Sequence, residues 1–317
     1  LPKSEANIDS IASKYYEGYL KMYPLEATMQ GDSRYNDLLS NNISSEFISK
    51  EIEFYTDTQK KLKSIEYDDL SDEQKTVYDV LDYTLKDKIE RYAYHPELLP
   101  FSQFEGLPLD FPLLGSAEGN QPFKTIKDYD NWLKRIDAFV IWMNTAEKNF
   151  REGMKQNVVL PKKLVVKMIP QMHSEEIITE DFDKNIFYGP IKKMPKNFSA
   201  KDKEKYKILY QEAISSKIIP AYQKMGDFLE KEYLPKARNT DGINALPNGK
   251  NIYEYYAKSW TTTNKTPEEI NKIGLQQVAM LRAEMEKVKT QLGFKGSLEQ
   301  FLTSLKTDKK AMPFKTP

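Results

Sequence analysis

The spacing of apolar residues is the feature that most constrains the fold of this chain. Apolar and aromatic side chains recur every three or four positions in segment after segment, as in Ile8, Ile11, Tyr15 and Tyr19. That period places them on one face of a helix, whereas a half-buried strand would alternate apolar and polar residues. No alternating run rich in valine or isoleucine is present. The sequence therefore predicts an all-α protein.

Several helix starts are marked by a serine or threonine that can accept a hydrogen bond from an exposed backbone amide. On this basis we expect helices to begin near Ser71, Thr125, Thr266 and Ser297. The start at Thr266 is reinforced by a proline in the first position and by two acidic residues beside the positive end of the helix dipole. Pro220 is expected to kink or divide the long helical region that contains it.

Proline and glycine are dense between residues 94 and 122, with five prolines and three glycines. That density argues against regular helix. The same stretch carries nine large apolar residues, more than a disordered linker would have. We therefore expect a long, ordered and packed loop, with several of Phe101, Phe104, Leu107 and Phe111 buried.

A turn-rich stretch, with Asp241-Gly242 and Pro247-Asn248-Gly249, is the best candidate for a boundary inside the chain. We expect an N-terminal helical region over residues 1–240 and a further helical segment over residues 241–317. The chain stops at Thr316-Pro317, the dipeptide that also opens the helix at Thr266. We therefore expect the last residues to lead into another element.

Composition excludes several classes of function. Lysine and arginine number 47, and so do aspartate and glutamate, so the net charge is zero and we expect no nucleic-acid partner. The longest apolar run covers residues 138–143, far short of the roughly 20 residues that span a bilayer. Cysteine is absent, which removes disulfides, thiolate nucleophiles and cysteine-bound zinc.

The residues that could carry catalysis are few. The two histidines, His95 and His173, lie in no HExxH helix and at no close metal spacing. His173 precedes Glu175 and Glu176, which could bind a metal or relay protons, although such a cluster on a surface helix is far more often a solvated face. A GxSxG serine motif and a glycine-rich phosphate loop are both missing. We therefore expect no catalytic residue and no metal site in this chain alone.

Two passages resemble one family of bacterial proteins. The first reads Tyr23-Pro24-Leu25-Glu26-Ala27-Thr28-Met29-Gln30-Gly31-Asp32 and is followed by Tyr35-Asn36-Asp37. The second runs from Gly249 and Tyr253 through Thr261-Thr262-Thr263 to Thr266-Pro267-Glu268-Glu269-Ile270, Gly274-Leu275 and Val278, and Glu284-Met285 and Gly293-Phe294-Lys295-Gly296-Ser297 extend it. In this order they are similar to the Domain-of-Unknown-Function 885 family, whose members are regarded as zinc peptidases of the gluzincin type.

The resemblance implies that this chain is the N-terminal part of a larger, helical, metallopeptidase-like fold. In the family an HExxH-type zinc-binding helix followed by Pro-Gly-His lies downstream of the passage that ends this chain. Zinc is therefore expected in the full-length protein and not in this chain, which is expected to be inactive by itself. Asn271 stands where the family usually shows histidine, so the role of that histidine does not transfer.

The same resemblance implies a function and a location. The chain would form wall and lid of a groove for a peptide-like substrate in an exported hydrolase of the periplasm or cell envelope, either free or lipid-anchored. Substrate-binding residues are expected in the segment from Tyr253 to Thr263, namely Tyr253, Tyr256, Thr261 and Thr262, whose hydroxyls can hydrogen-bond an extended ligand, as could Tyr255 and Thr263. Alternatively, the tyrosines are core and the threonines merely precede the helix cap at Thr266.

Two other functions fit the same sequence. One is a non-catalytic cell-envelope protein that binds sugar or peptide through its many aromatic residues, which number 20 tyrosines, 15 phenylalanines and three tryptophans. The other is a purely structural interaction module.

Overall fold

The computed structural model describes residues 7–308, which form α-helices joined by short 3₁₀ turns. The α-helices are α1 (Ile8–Met22), α2 (Pro24–Met29), α3 (Ser45–Leu62), α4 (Asp72–Arg91), α5 (Leu107–Gly115), α6 (Ile126–Lys155), α7 (Lys162–Met172), α8 (Gly189–Lys192), α9 (Ala200–Ala213), α10 (Ile219–Phe228), α11 (Gly249–Thr261), α12 (Pro267–Gln291) and α13 (Leu298–Thr307). The 3₁₀ turns are Ser33–Tyr35, Tyr67–Asp69, Tyr92–Tyr94, Pro96–Leu98, Ile186–Tyr188, Leu234–Lys236 and Ile243–Ala245.

Extended pairing over residues 7–308 is limited to one isolated bridge between Pro161 and Arg238. The predicted all-α fold class is therefore confirmed. The Thr316-Pro317 ending, which the sequence suggested as the start of another element, lies outside the described residues.

The predicted helix starts agree with the structure. Ser71, Thr125, Thr266 and Ser297 each cap a helix, and each forms a capping box with the residue three positions further on. In a capping box two of the amides left unpaired at a helix start are satisfied by side chains. These short-range hydrogen bonds explain why local sequence was enough to place α4, α6, α12 and α13.

The proline- and glycine-rich stretch over residues 94–122 is ordered, as expected, but it is not free of helix. α5 lies inside it, with Pro108 in its first turn and Pro112 in its interior. Proline is tolerated in the first turn because the amide there has no partner anyway. The interior Pro112 leaves the carbonyl of Pro108 without its helical donor, and the buried hydroxyl of Tyr222 donates to that oxygen instead, at 2.8 Å.

The apolar residues of this stretch divide between core and surface. Phe101 and Phe111 are buried, as predicted, and Leu107 is partly buried against the core. Phe104 is 88% exposed, so it is the member of the predicted set that does not join the core. It lies in a bend between Phe101 and α5, where the backbone amide of Phe104 is held by the hydroxyl of Ser102, and the ring points away from the core.

The main core is built around α6, the longest helix. Trp132 and Phe139 lie one above the other on its buried face, and the ring of Phe111 from α5 stacks on both, at centroid distances of 4.6 and 4.0 Å. Aromatic pairs of this kind add about 0.5–1.5 kcal/mol per pair beyond the burial of the rings. The aromatic residues that the sequence marked as core or groove therefore serve here as core.

Pro220 divides the helical region that contains it, as predicted. α9 is followed by a π-helical turn over Ile214–Ile218, and α10 begins immediately afterwards with Pro220 in its first turn. A second π-helical turn, Leu229–Tyr233, follows α10. A π turn accommodates the missing proline amide because its hydrogen bonds skip to a more distant residue.

The chain separates into two compact units, Leu1–Gly249 and Lys250–Pro317. The first contains α1 to α10, and the second contains α12, α13 and all but the first residue of α11. The predicted boundary between residues 240 and 241 stays a prediction, since compact units are not by themselves independently folding domains.

Candidate functional site

The segment that was predicted to bind substrate forms most of α11 and the turn after it. Tyr253 is exposed, Tyr256 is half-buried, and Thr261 and Thr262 are exposed. Tyr255 is buried, and its ring packs against that of Tyr256 at 5.3 Å. The structure therefore leaves the four predicted side chains reachable by a ligand and removes Tyr255 from the set.

One exposed aromatic residue of this segment was missed by the sequence reasoning. Trp260 is 86% exposed, and it lies four residues after Tyr256 and seven after Tyr253. Residues at this spacing share one face of a helix. The three rings therefore form an aromatic face on α11, which we call the α11 aromatic face. The helical spacing alone could have identified Trp260, had α11 been recognised as a helix.

The turn after α11 contains a strained residue. Thr262 has φ of +53°, a left-handed conformation that is unfavourable for a side chain branched at Cβ. Its amide nevertheless donates to the carbonyl of Lys258 at 2.8 Å, which closes the helix end. The hydroxyls of Thr261 and Thr263 lie 3.0 Å apart. Strained backbone that persists at an exposed turn is a recurrent property of ligand-binding segments.

A second exposed surface runs along α12. Five apolar side chains follow one another at alternating spacings of three and four residues, and their exposed fractions lie between 39% and 67%. They are Val278, Leu281, Met285, Val288 and Leu292, and we call them the α12 stripe. No residue of α12 is buried. A 25-residue helix with a continuous apolar face in water is unusual, because exposed apolar surface of this extent marks an interaction site.

The passage from Tyr23 to Asp37, the first of the two that resemble the family, folds around one buried side chain, Arg135 of α6. Its Nη2 donates to the hydroxyl of Thr28 at 2.7 Å and to the carbonyl of Tyr35 at 3.2 Å, and its Nε donates to the carbonyl of Leu38 at 3.0 Å. Burial lowers the pKa of Arg135 to about 10, so the guanidinium remains charged at neutral pH. This passage is therefore a structural cradle for Arg135.

Another buried polar network joins α3 to its neighbours. The carboxylate of Glu51 accepts hydrogen bonds from the hydroxyls of Tyr23, Tyr55 and Tyr92. Burial is the main reason why the pKa values of the three tyrosines lie well above their ordinary value. Because Glu51 is only 2% exposed, no ligand reaches it, and the network is a structural connection.

A groove lies between α1 and α3. Its volume is about 470 Å³, and its aromatic lining consists of Tyr15 and Phe54, whose rings stack at 5.8 Å and are nearly parallel. Lys14, Lys50 and Lys61 also line it. An aromatic lining with charged groups beside it suits a sugar or a peptide side chain. We call it the α1–α3 groove.

The two histidines have different surroundings. His95 is mostly exposed, has a left-handed backbone, and contacts Glu97 at 3.0 Å. His173, at the end of α7, lies with Asp227 and Glu230, and the ligand atoms of these three side chains all lie within 4.8 Å of one another. Within residues 7–308 this is the one group of three or more metal-ligating side chains that meet. The neighbouring Glu175 and Glu176 are not in it.

Comparisons with known proteins agree with the fold. The crystal structure of the "putative lipoprotein from Colwellia psychrerythraea" superposes with a TM-score of 0.79 at 18% sequence identity, over 96% of this chain and 54% of that one. The chain thus spans about half the length of the structure it matches. Among functionally curated proteins no match is found. Within residues 7–308, no helix has both the length and the apolarity to cross a membrane.

A family model completes the comparison. It matches residues 24–317, which is most of the chain and includes both passages described above except Tyr23. The chain belongs to the family described as bacterial protein of unknown function (DUF885).

Proposed function

We propose that this chain is the N-terminal, groove-forming part of a longer zinc-dependent peptidase, and that the metal-binding helix lies in the remaining part. The observation that carries the proposal is the α12 stripe, an apolar helix face with no cover. The related crystal structure is about twice as long as the part that matches this chain. The second half of the longer protein is therefore the occupant that we assign to the stripe.

The spacing of the stripe defines what would cover it. Alternating steps of three and four residues form the seam of helix-on-helix packing, in which side chains of one helix enter the spaces of another. A facing apolar helix would therefore fit Leu281 and Met285, at the centre of the stripe, better than a flat sheet or a polar loop. Burying five such residues would contribute about 1.5 kcal/mol or more each, enough to hold two halves of one protein together.

The α11 aromatic face and the threonine turn are assigned to substrate. Tyr253, Tyr256 and Trp260 present ring faces and two hydroxyls to solvent, and Thr261 and Thr262 add two hydroxyls at the helix end. Aromatic rings bind the side chains of an extended peptide, and hydroxyls pair with its backbone groups. Peptide-like substrates are thus the class that this surface suits, with the four predicted residues and Trp260 as the contacts.

Zinc enters the proposal only through the family resemblance. A catalytic zinc, when bound, polarises the scissile carbonyl and lowers the pKa of its water, and in zinc peptidases it is held by two histidines and a carboxylate. The donor set of this chain does not fit that centre, because within residues 7–308 only one histidine joins a ligand cluster. No catalytic step is therefore assigned to residues of this chain, and its part would be to bind and orient substrate.

The proposed location is the cell envelope. The structure that resembles this chain is described as a "putative lipoprotein", which supports this location. A lipid anchor and an export signal would then belong to the complete gene product.

The zinc assignment is tested on the longer protein. The encoded sequence after residue 317 should contain an HExxH-type helix, and the full-length protein should hydrolyse unstructured peptides and lose that activity when a chelator removes zinc. Residues 1–317 alone should be inactive in the same assay. Absence of the helix, or an inert full-length protein that holds zinc, would sink the peptidase assignment.

The docking assignment is tested by a matched pair of variants. Leu281→Asp with Met285→Asp places two charges on the α12 stripe, whereas Ala279→Asp with Ala283→Asp places the same charges, four residues apart, on the opposite and exposed face. In the full-length protein the first variant should lower the midpoint of urea unfolding and speed cleavage between the halves by trypsin. The control loses at least as much helix propensity, so its unfolding midpoint should fall only by that amount, and the larger fall of the first variant reports the lost docking. Equal effects of both variants would contradict the assignment.

The alternative function is a non-catalytic protein that binds sugar or peptide, and the α1–α3 groove favours it. The stacked rings of Tyr15 and Phe54 line the groove. Aromatic rings in such a position can stack on a ring of the ligand. If this function is right, Phe54→Ala in the chain should abolish binding of a panel of short oligosaccharides and peptides in calorimetry. Phe104→Ala, which removes an exposed ring elsewhere, should leave binding unchanged. No binding by the native chain would rule this alternative out.

A further inference from the structure

We infer that His173, Asp227 and Glu230 form a binding site for a divalent transition-metal ion such as Zn²⁺. The inference stands on these three residues and does not rest on the proposed function. His173 lies 54 positions before Asp227 and 57 before Glu230 in the sequence, so no short spacing motif indicates the site. It also replaces the expectation from sequence that this chain has no metal site.

The donor atoms have the chemistry and the separation that zinc needs. One imidazole nitrogen and two carboxylates are ligands that zinc accepts. The Nε2 of His173 lies 3.8 Å from Oδ1 of Asp227, too far for a hydrogen bond. Bonds of about 2.0–2.1 Å to a tetrahedral zinc place neighbouring ligand atoms roughly 3.3 Å apart, so the observed gap closes with a small side-chain rotation.

The fold makes room for the imidazole at this place. Gly226 precedes Asp227 on α10, and a Cβ at residue 226 would lie 2.5 Å from Nε2 of His173. Any larger residue there would push the ring away from Asp227. A buried glycine inside a helix lowers helix stability by about 1 kcal/mol relative to alanine, and the contact with His173 gives that cost a structural reason.

The carboxylates are available for an ion. The Oδ2 atom of Asp227 lies 2.9 Å from Nζ of Lys231 and forms an ion pair with it, whereas Oδ1 faces His173. Glu230 lies on the π-helical turn that follows α10, one turn from Asp227. The ammonium of Lys231 competes with a metal for Asp227.

The chain contains only two histidines, which makes the site directly observable. ZnCl₂ titrated into the 317-residue chain should give one-to-one binding in calorimetry. The side-chain NMR signals of His173 should shift or broaden, while those of His95 stay in place. Equal millimolar MgCl₂ should not displace zinc, because magnesium avoids imidazole ligands.

Variants separate this site from adventitious binding. His173→Ala should weaken zinc binding by at least about 100-fold, and the matched His95→Ala should leave it unchanged. Gly226→Ala keeps all three ligands but displaces the ring, and should weaken binding about tenfold. Lys231→Gln removes the competing ammonium and should tighten binding several-fold.

The opposite results overturn the site. Any one of three outcomes would do so: no heat of binding in a large excess of zinc, zinc binding that is retained by His173→Ala, or NMR signals of both histidines that shift equally. Far-UV circular dichroism of each variant should match the native chain, and if His173→Ala is misfolded, the Gly226→Ala and Lys231→Gln affinities decide by themselves.

Discussion

The hydroxyl of Tyr222 donates a 2.8 Å hydrogen bond to the carbonyl oxygen of Pro108, a residue 114 positions earlier in the chain. That oxygen would accept the helical hydrogen bond of residue 112 if residue 112 were not proline. Tyr222 thereby completes α5 from outside the helix and ties it to α10. A helix in the proline-rich stretch thus exists because a distant side chain supplies the missing donor.

Tyr222→Phe should therefore destabilise the chain. The substitution keeps the buried ring but leaves the buried carbonyl of Pro108 unsatisfied, at a cost of about 1–3 kcal/mol. Urea unfolding followed by circular dichroism measures it. Tyr16→Phe, which removes an exposed hydroxyl, is the matched control and should change the unfolding free energy by less than about 0.5 kcal/mol. Similar values for both variants would mean that the Pro108 carbonyl finds another donor.

Arg135→Lys should be strongly destabilising although it keeps the charge. Lysine has a single ammonium group and cannot reach Thr28, Tyr35 and Leu38 together, whereas the planar guanidinium does. With about two buried acceptors left unpaired, the free energy of unfolding should fall by roughly 2–6 kcal/mol. Arg34→Lys, in an exposed ion pair with Glu17, is the control and should cost less than about 1 kcal/mol. Equal melting temperatures of the two variants would refute the cradle role.

Stability should fall at alkaline pH through the buried tyrosines. Burial raises the pKa of Tyr15 from its ordinary value of 10.0 to about 12. The folded state thus holds this proton more tightly than the unfolded chain, so the contribution to stability is complete below pH 10 and is lost as the pH rises through 12.

The test compares urea unfolding midpoints near pH 9 and near pH 11 in the native chain and in Tyr15→Phe. The variant cannot ionise at this position, so its midpoint should fall less between the two pH values. A decline of the same size in both proteins would show that Tyr15 does not contribute to the pH dependence.

Phe101 and Phe104, three residues apart, should respond oppositely to truncation. Phe101 is buried and its ring packs against that of Phe150 at 5.2 Å, whereas Phe104 stands in solvent. Phe101→Ala should lower the free energy of unfolding by about 3–5 kcal/mol because it leaves a cavity. Phe104→Ala should change that free energy by less than about 0.5 kcal/mol. Thermal unfolding of both variants checks the assignment. A large loss of stability for Phe104→Ala would mean that this ring packs against another part of the folded chain.

Thr262→Gly should stabilise the end of α11. Glycine adopts the observed φ of +53° without the clash that Cβ causes, and the gain should be about 1 kcal/mol. Thr263→Gly is the control, since residue 263 is outside the left-handed region, and should be neutral or destabilising. If the strain at Thr262 serves substrate binding, Thr262→Gly in the full-length protein should be more stable yet weaker in binding peptide. A loss of stability would contradict the strain.

Much of the fold followed from local sequence. The capping residues Ser71, Thr125, Thr266 and Ser297 each determine a helix start through hydrogen bonds within four residues. Such bonds depend on nothing outside the turn, and the apolar period that follows them fixes which face is buried. The all-α class was predictable for the same reason.

The remaining features required contacts between residues that are distant in the chain. α5 depends on Tyr222, and the burial of Phe101 but not Phe104 depends on which ring meets α6. His173 gained Asp227 as a neighbour only because α7 packs against α10.

The candidate site shows the same division. The spacing of Val278, Leu281 and Met285 is visible in the sequence, but only the tertiary structure shows that these side chains are uncovered. Trp260 was equally visible, but its exposure was not. Local hydrogen bonds and periodicity determine which residues form helices, whereas burial depends on what packs against each helix, and that is a property of the folded chain as a whole.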